Sequence, residues 1–200
     1  MKKIDEKILC SWIDLVKFYH EKYSCFTEEE LANTPFRLYN AFEEYTKGYK
    51  ENPKTILNKK FYSEKNEYYI SEDIIAQTNI PFTSMCSHHW APFVGKAHFG
   101  YIPNDNGVVG LSKIARLIKC FSRRFQIQEQ LANQIVNNFQ EVIKSKGCII
   151  ILQARHMCTE NRGVKVHNSP MIVSAVRGCF QTDETLENKF YNLINLGERK

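Results

Sequence analysis

The sequence contains no run of about 20 apolar residues, so it has no segment suited to crossing a bilayer as a helix. Lys2 and Lys3 lead into Asp5, Glu6 and Lys7 instead of an apolar stretch, so no secretory leader is expected. Internal repeats and low-complexity tracts are also missing. Seven cysteines are an odd number for a disulfide framework, and without a leader they fit free or metal-bound thiols in a reducing, cytoplasmic setting. Nor is one sign of charge in large excess: a net +5 suits an anionic substrate and a solvated basic surface equally. What remains is 200 residues with 43% hydrophobic content, enough for a real core. Residues 1–50 read as a helical extension and 51–200 as a single functional unit.

The pattern along the chain is legible in outline. Ile4, Ile8, Leu9, Trp12, Leu15 and Val16 recur at helical spacing, and that helix should end near Glu21 to Ser24. Thr27-Glu28-Glu29-Glu30 has the form of a capping box, and Thr34-Pro35 predicts a fresh helix start, with Leu38, Phe42 and Tyr45 on its buried face and a stop near Gly48. Lys50 to Lys54 reads as a loop. Extended structure is expected from Phe61 to Ser84, through Tyr68, Tyr69 and Ile70. A further strand is expected from Gly95 to Pro103, closed by a turn at Asn104-Asp105-Asn106-Gly107. Two helical runs follow, Ile114 to Phe121 and Ile127 to Val142, the second stopping at Gly147. Cys148 to Leu152 reads as a buried strand, Met171 to Val176 as another, and Leu186 to Ile194 as a closing helix. This order predicts an α+β fold with an antiparallel sheet.

Chemistry concentrates in Cys86-Ser87-His88-His89. Thiol and imidazole are the common zinc donors, and the odd spacing of Cys86 and His89 lets them share an ion only across a turn. A third ligand must come from elsewhere, and Cys158 in His156-Met157-Cys158 is the best candidate. If the Cys148 strand ran on, His156 and Cys158 would face one pocket together. Two Cys and one His leave a fourth position for water, the pattern of a catalytic rather than a structural zinc. His88 and His156 are then free to act as acid or base near neutral pH. Cys10, Cys25, Cys120, Cys148 and Cys179 have no such company and read as ordinary packing residues.

Gly110-Leu111-Ser112-Lys113-Ile114-Ala115-Arg116 opens a helix with Ser112 as its expected cap. Free N–H groups there, with Lys113 and Arg116 on one face, make a phosphate site; the same residues also fit a plain cap and two solvated cations. Glu129, after Gln128, can accept two parallel hydrogen bonds from a guanine edge, although a surface Glu at a helix start is commonly just stabilised by the dipole.

Taken together, C-S-H-H, P-F-x-G-K-A-H, G-Y-I-P, G-L-S-K-I-A-R, R-R-F-Q-I-Q-E-Q, H-M-C and R-G-V resemble the GTP cyclohydrolase I family over roughly Thr34 to Phe180. The resemblance implies a tunnelling-fold (T-fold) subunit whose sheets close into a barrel in a homodecamer, with active sites at subunit interfaces. It implies zinc on Cys86, His89 and Cys158, proton transfer by His88 and His156, and a guanine gripped by Glu129 with Gln128. Ser112, Lys113, Arg116, Arg162 and Arg37 would face the triphosphate. The implied reaction turns GTP into 7,8-dihydroneopterin triphosphate and formate, a first step shared by folate (tetrahydrofolate), biopterin and deazaguanine routes.

The chain departs from the family pattern at Ser87, where a Glu is usual, at Gln130, where an Arg is usual, and near Ser169, where Met171 and Val173 replace threonines. The zinc ligands and Glu129 are unaffected. Two other readings stay open: a sister T-fold enzyme acting on a different purine or pterin, and a zinc-bound GTP-binding scaffold that lost turnover through Ser87. The three-histidine zinc set of the pyruvoyl-tetrahydropterin synthase relatives is missing. Arg123-Arg124 lacks the interleaved aromatics of a nucleic-acid surface, so neither nucleic acid nor membrane is an expected partner.

Overall fold

The computed structural model describes residues 4–57, 60–61, 73–104 and 108–198. The expected strand residues Tyr68, Tyr69 and Ile70 and most of the turn at Asp105-Asn106-Gly107 lie outside these. The chain divides into two units, Met1–Lys47 and Gly48–Lys200.

The first unit is a helical hairpin of α1 (Glu6–Tyr23) and α2 (Glu28–Tyr45). The Asp5 carboxylate caps α1 by accepting from the N–H groups of Lys7 and Ile8, and Ser24 ends it in the left-handed region at φ 50°. Thr27 and Glu30 form the expected capping box on α2, worth about 1 kcal/mol. Trp12 of α1 lies against Phe42 of α2, ring centroids 4.9 Å apart. Contrary to expectation, no new helix begins at Thr34: α2 runs straight through Pro35. Proline's fixed φ suits a helix, but its missing N–H and the crowding of its ring against the Leu31 carbonyl cost about 3 kcal/mol or more, which α2 absorbs.

A 3₁₀ turn, Lys47–Lys50, spans the boundary of the units, and of the loop expected between Lys50 and Lys54 only Glu51 and Asn52 stay irregular before a short helix α3 (Pro53–Ile56). Asn52 caps α3 and Pro53 sits in its first turn, where a missing N–H costs nothing. Next come β1 (Lys60–Phe61), β2 (Ile75–Cys86), β3 (Pro92–Ile102), β4 (Val108–Val109), α4 (Leu111–Ser122), β5 (Phe125–Gln126), α5 (Gln128–Ile143), β6 (Gly147–His156), α6 (Met157–Glu160), β7 (Met171–Gly178) and α7 (Glu184–Glu198). The main sheet has the order β5-β2-β3-β6-β7, and every pairing is antiparallel except the short β5–β2 contact. Strands β1 and β4 form a separate ladder. Helix α5 stops at Lys144, in the left-handed region at φ 54°, rather than at Gly147, which instead begins β6.

Strand β6 is apolar on both faces because both faces are covered. Ile150, Leu152 and Ala154 join Phe82, Phe93, Phe99 and Tyr101 in a core closed by Leu117, Leu131, Ile135 and Phe139 of α4 and α5. Ile149 and Ile151 point the other way, to Phe180, Phe190 and Ile194. Each fully buried large apolar side chain contributes about 1.5–3 kcal/mol. Gly95 pairs with Ala154, and a Cβ on it would sit 1.9 Å from the Gln153 carbonyl oxygen, so the strands meet there only because the position is glycine.

Candidate metal centre and purine site

The first two candidate ligands come from the β2–β3 connection. Cys86 ends β2 between two neighbouring strands, and the loop after it is closed by backbone bonds: the N–H of Cys86 donates to Ala91 and that of Trp90 to the Cys86 carbonyl, both 2.9 Å. Trp90 takes a left-handed φ of 51° and lies tilted against Phe125, with ring centroids 5.0 Å apart. The Ser87 N–H donates to the Gln126 carbonyl at 3.1 Å, tying the loop to β5. This tight loop is the turn that the Cys86–His89 spacing requires.

Cys158 arrives by a different route from the one expected. Strand β6 ends at His156, and Cys158 lies in the helical turn α6, so strand alternation does not orient it. The turn is clamped by Glu160, which is 3% exposed and accepts from Arg155 Nε at 2.9 Å. That hydrogen bond holds the Glu160 carboxyl below its usual range.

The outcome is convergence: the ligand atoms of Cys86, His89 and Cys158 all lie within 4.8 Å of one another. Cys86 Sγ is 3.7 Å from His89 Nδ1, close to the ~3.5 Å separating a sulfur and a nitrogen on one tetrahedral zinc. Both cysteines are buried, and His89 is exposed. Burial, and then the neighbouring Cys86 sulfur, push the Cys158 thiol above its usual pKa, a penalty that a bound cation would reverse. The donor set of two sulfurs and one imidazole fits zinc. His88 is exposed, with its Nδ1 3.9 Å from Cys86 Sγ and its ring edge-on to His89.

Next to this cluster lie the purine-site candidates. His156 stacks flat on Phe93, its direct cross-strand partner, at 4.6 Å and 4°. Its Nε2 is 2.7 Å from Gln128 Oε1. Gln128 is 1% exposed, while Glu129 beside it in the first turn of α5 is exposed. Burial lowers the pKa of His156, and the Glu129 charge opposes that shift.

The phosphate candidates are more scattered. Helix α4 begins two residues earlier than expected, with Gly110 as its N-cap and no side-chain cap bond, so Ser112 lies exposed in the first turn instead of capping it. Lys113 Nζ donates to the Ile56 carbonyl at 2.8 Å, and Arg116 is exposed. Arg162 is exposed, and its charge acts on Cys158. Arg37 belongs to the N-terminal unit, where it pairs with Glu29 at 2.7 Å.

Of the cysteines read as packing residues, Cys120 and Cys148 are buried and Cys179 is half-buried, but Cys10 and Cys25 are exposed on the helical hairpin. Phe93, the platform under His156, escaped the reading of the sequence. Its signal was the apolar Phe in P-F-x-G-K-A-H, which meant nothing until the β3–β6 register was known. A cavity of about 330 Å³ between Val94, Lys96, Gln153 and Arg155 contains none of the predicted site residues.

The family model described as GTP cyclohydrolase I matches residues 22–195. A GTP cyclohydrolase 1 of Campylobacter curvus is 44% identical over 167 residues, 84% of this chain and 85% of that one. One from Campylobacter jejuni subsp. doylei is 46% identical over the same shares of the two chains. One from Wolinella succinogenes is 41% identical over 83% of this chain and 86% of its own.

Proposed function

This chain belongs to the GTP cyclohydrolase I family, with its α+β T-fold, and on that premise we propose that it hydrolyses GTP to 7,8-dihydroneopterin triphosphate and formate beside a zinc held by Cys86, His89 and Cys158. The observation that carries this reading is the meeting of those three donors next to the His156–Gln128 pair and Glu129. When bound, the ion supplies Lewis-acid activation of water.

The side chains divide the remaining work. Glu129 accepts from the N1–H and N2–H groups of guanine, a pair of donors that adenine lacks, and so selects and orients the purine. His156, stacked beneath the site, delivers a proton as water adds to C8 and the imidazole ring opens. His88 assists opening of the ribose before rearrangement. The uncapped first turn of α4 offers N–H groups and Ser112 to the triphosphate, with Lys113, Arg116, Arg162 and Arg37 supplying positive charge. The enzyme works as a homodecamer with sites at subunit interfaces, in a reducing cytoplasm that suits its seven cysteines, two of them zinc ligands and five free thiols. Strand β7 leaves one edge of the main sheet open among the described residues, with Ile172 64% exposed, as sheet closure between copies requires.

The test is formate release and dihydroneopterin fluorescence after oxidation, with GTP and zinc-replete protein. Cys158→Ser should lose both bound zinc and formate release. Full metal content and turnover in that variant would overturn the assignment, and zinc or GTP binding without formate would point to a scaffold.

A further inference from the structure

We infer that Gln128 is a positioning residue whose side-chain amide fixes which ring nitrogen of His156 carries hydrogen, instead of a residue that grips the purine with that amide. The inference rests on the catalytic reading of His156 above, and it comes from a count of donors and acceptors.

Gln128 is 1% exposed, and its Nε2 lies 2.9 Å from the Leu152 carbonyl oxygen and 3.0 Å from that of Met171. A carbonyl only accepts, so the end facing two carbonyls must be the NH2 group, and both of its hydrogens are used. The other end, Oε1, is therefore an oxygen that only accepts, and it stands 2.7 Å from His156 Nε2. For that contact to be a hydrogen bond, Nε2 must carry the hydrogen. In the neutral ring the lone pair then sits on Nδ1, and Nδ1 is the nitrogen left to exchange a proton with a ligand.

Geometry supports the same assignment. Leu152 and Met171 lie on neighbouring strands, β6 and β7, so the Gln128 amide bridges the end of the sheet and cannot swing out without giving up both of these bonds. Phe93 fixes the plane of the imidazole, stacked at 4.6 Å and 4°, and Gln128 fixes its rotation within that plane. A side chain reaching for guanine would have to give up all three contacts. Glu129, exposed one residue later, is the one placed to grip the base.

Solid-state NMR of protein labelled with ¹⁵N in the histidine rings tests this directly, with the His156 signals assigned by their loss in His156→Gln. At about pH 8.5, above the ordinary imidazole range, the spectrum should show a protonated Nε2 and an unprotonated Nδ1. A hydrogen on Nδ1 would overturn the inference. Gln128→Met, which keeps bulk but removes the amide, should give a mixture of tautomers. Its kcat should fall by about 10-fold or more with KM for GTP changed less than about 3-fold. A raised KM with kcat retained would make Gln128 a guanine contact after all. The spectrum of the unmodified protein needs neither turnover nor a folded variant. Failure to hydrolyse GTP would therefore count against the proposed function while leaving the tautomer to be read.

Discussion

Helices α4 and α5 begin alike and are used differently. Both start without a side-chain cap, at Gly110 and Ile127, so no cap side chain meets the N–H groups of either first turn. At α4 the first turn faces solvent, with Leu111 63% exposed and Ser112 exposed. At α5 the first residue, Gln128, is 1% exposed and bonded to two strands and an imidazole. One start is open to solvent, and the other is a wedge set against the end of the sheet. An uncapped helix start is thus no site by itself; what the neighbouring elements cover decides whether it binds a ligand or braces the fold.

The sharpest way to probe that contrast is Glu129→Gln, which leaves the wedge intact but replaces an acceptor-only carboxylate with an amide. The loss in kcat/KM for GTP should reach about 10² to 10⁴-fold, with relaxed discrimination against ATP. If GTP turnover persisted, α5 would be a brace only. On the α4 side, Arg116→Ala should raise KM for GTP about 10-fold through the loss of one charge-assisted contact, and guanosine binding should be unaffected. Equal losses for both ligands would remove α4 from the triphosphate site.

Two smaller effects test the frame behind the helices. Tyr101, fully buried, accepts a 2.9 Å hydrogen bond on its hydroxyl from the Val109 N–H just before α4. Tyr101→Phe should cost about 1–3 kcal/mol in a denaturant titration, because the amide is left without its buried acceptor. Cys148, by contrast, is pushed up to about 12 from 9.0 by burial. It stays neutral in the folded chain while the unfolded thiol ionises, so its stabilising share is full below pH 9 and is lost as pH rises toward 12. Thermal melts across that window should show the decline, and Cys148→Ala should flatten it. Thiol alkylation at neutral pH should label exposed Cys10 and Cys25 and spare Cys148.

Much of this was legible from spacing. The capping box at Thr27, the buried run from Cys148 and the helical stripe on α5 are local patterns whose physics lies within a few residues. The candidate site was legible as a set of residue types: a thiol and imidazole across a turn, with a second thiol far along the chain. Failures came where a local signal met a longer-range one. Thr34-Pro35 looks like a start, but a helix already nucleated at Thr27 passes through it. Ser112 looks like a cap, but the backbone turns into α4 two residues sooner, at Gly110. Cys158 looked like the next inward position of a strand, but the strand ends at His156.

The amino-acid order by itself determined the donors, the helices and the buried strand, because side-chain chemistry and apolar period are properties of neighbours along the chain. Only the tertiary structure decided what those residues do together. The β3–β6 register set Phe93 under His156, and the start of α5 drove the Gln128 amide between Leu152 and Met171. Hydrogen-bond partners in a folded interior are set by which strands end beside one another. That is a fact of three-dimensional closure, and no spacing of residues contains it.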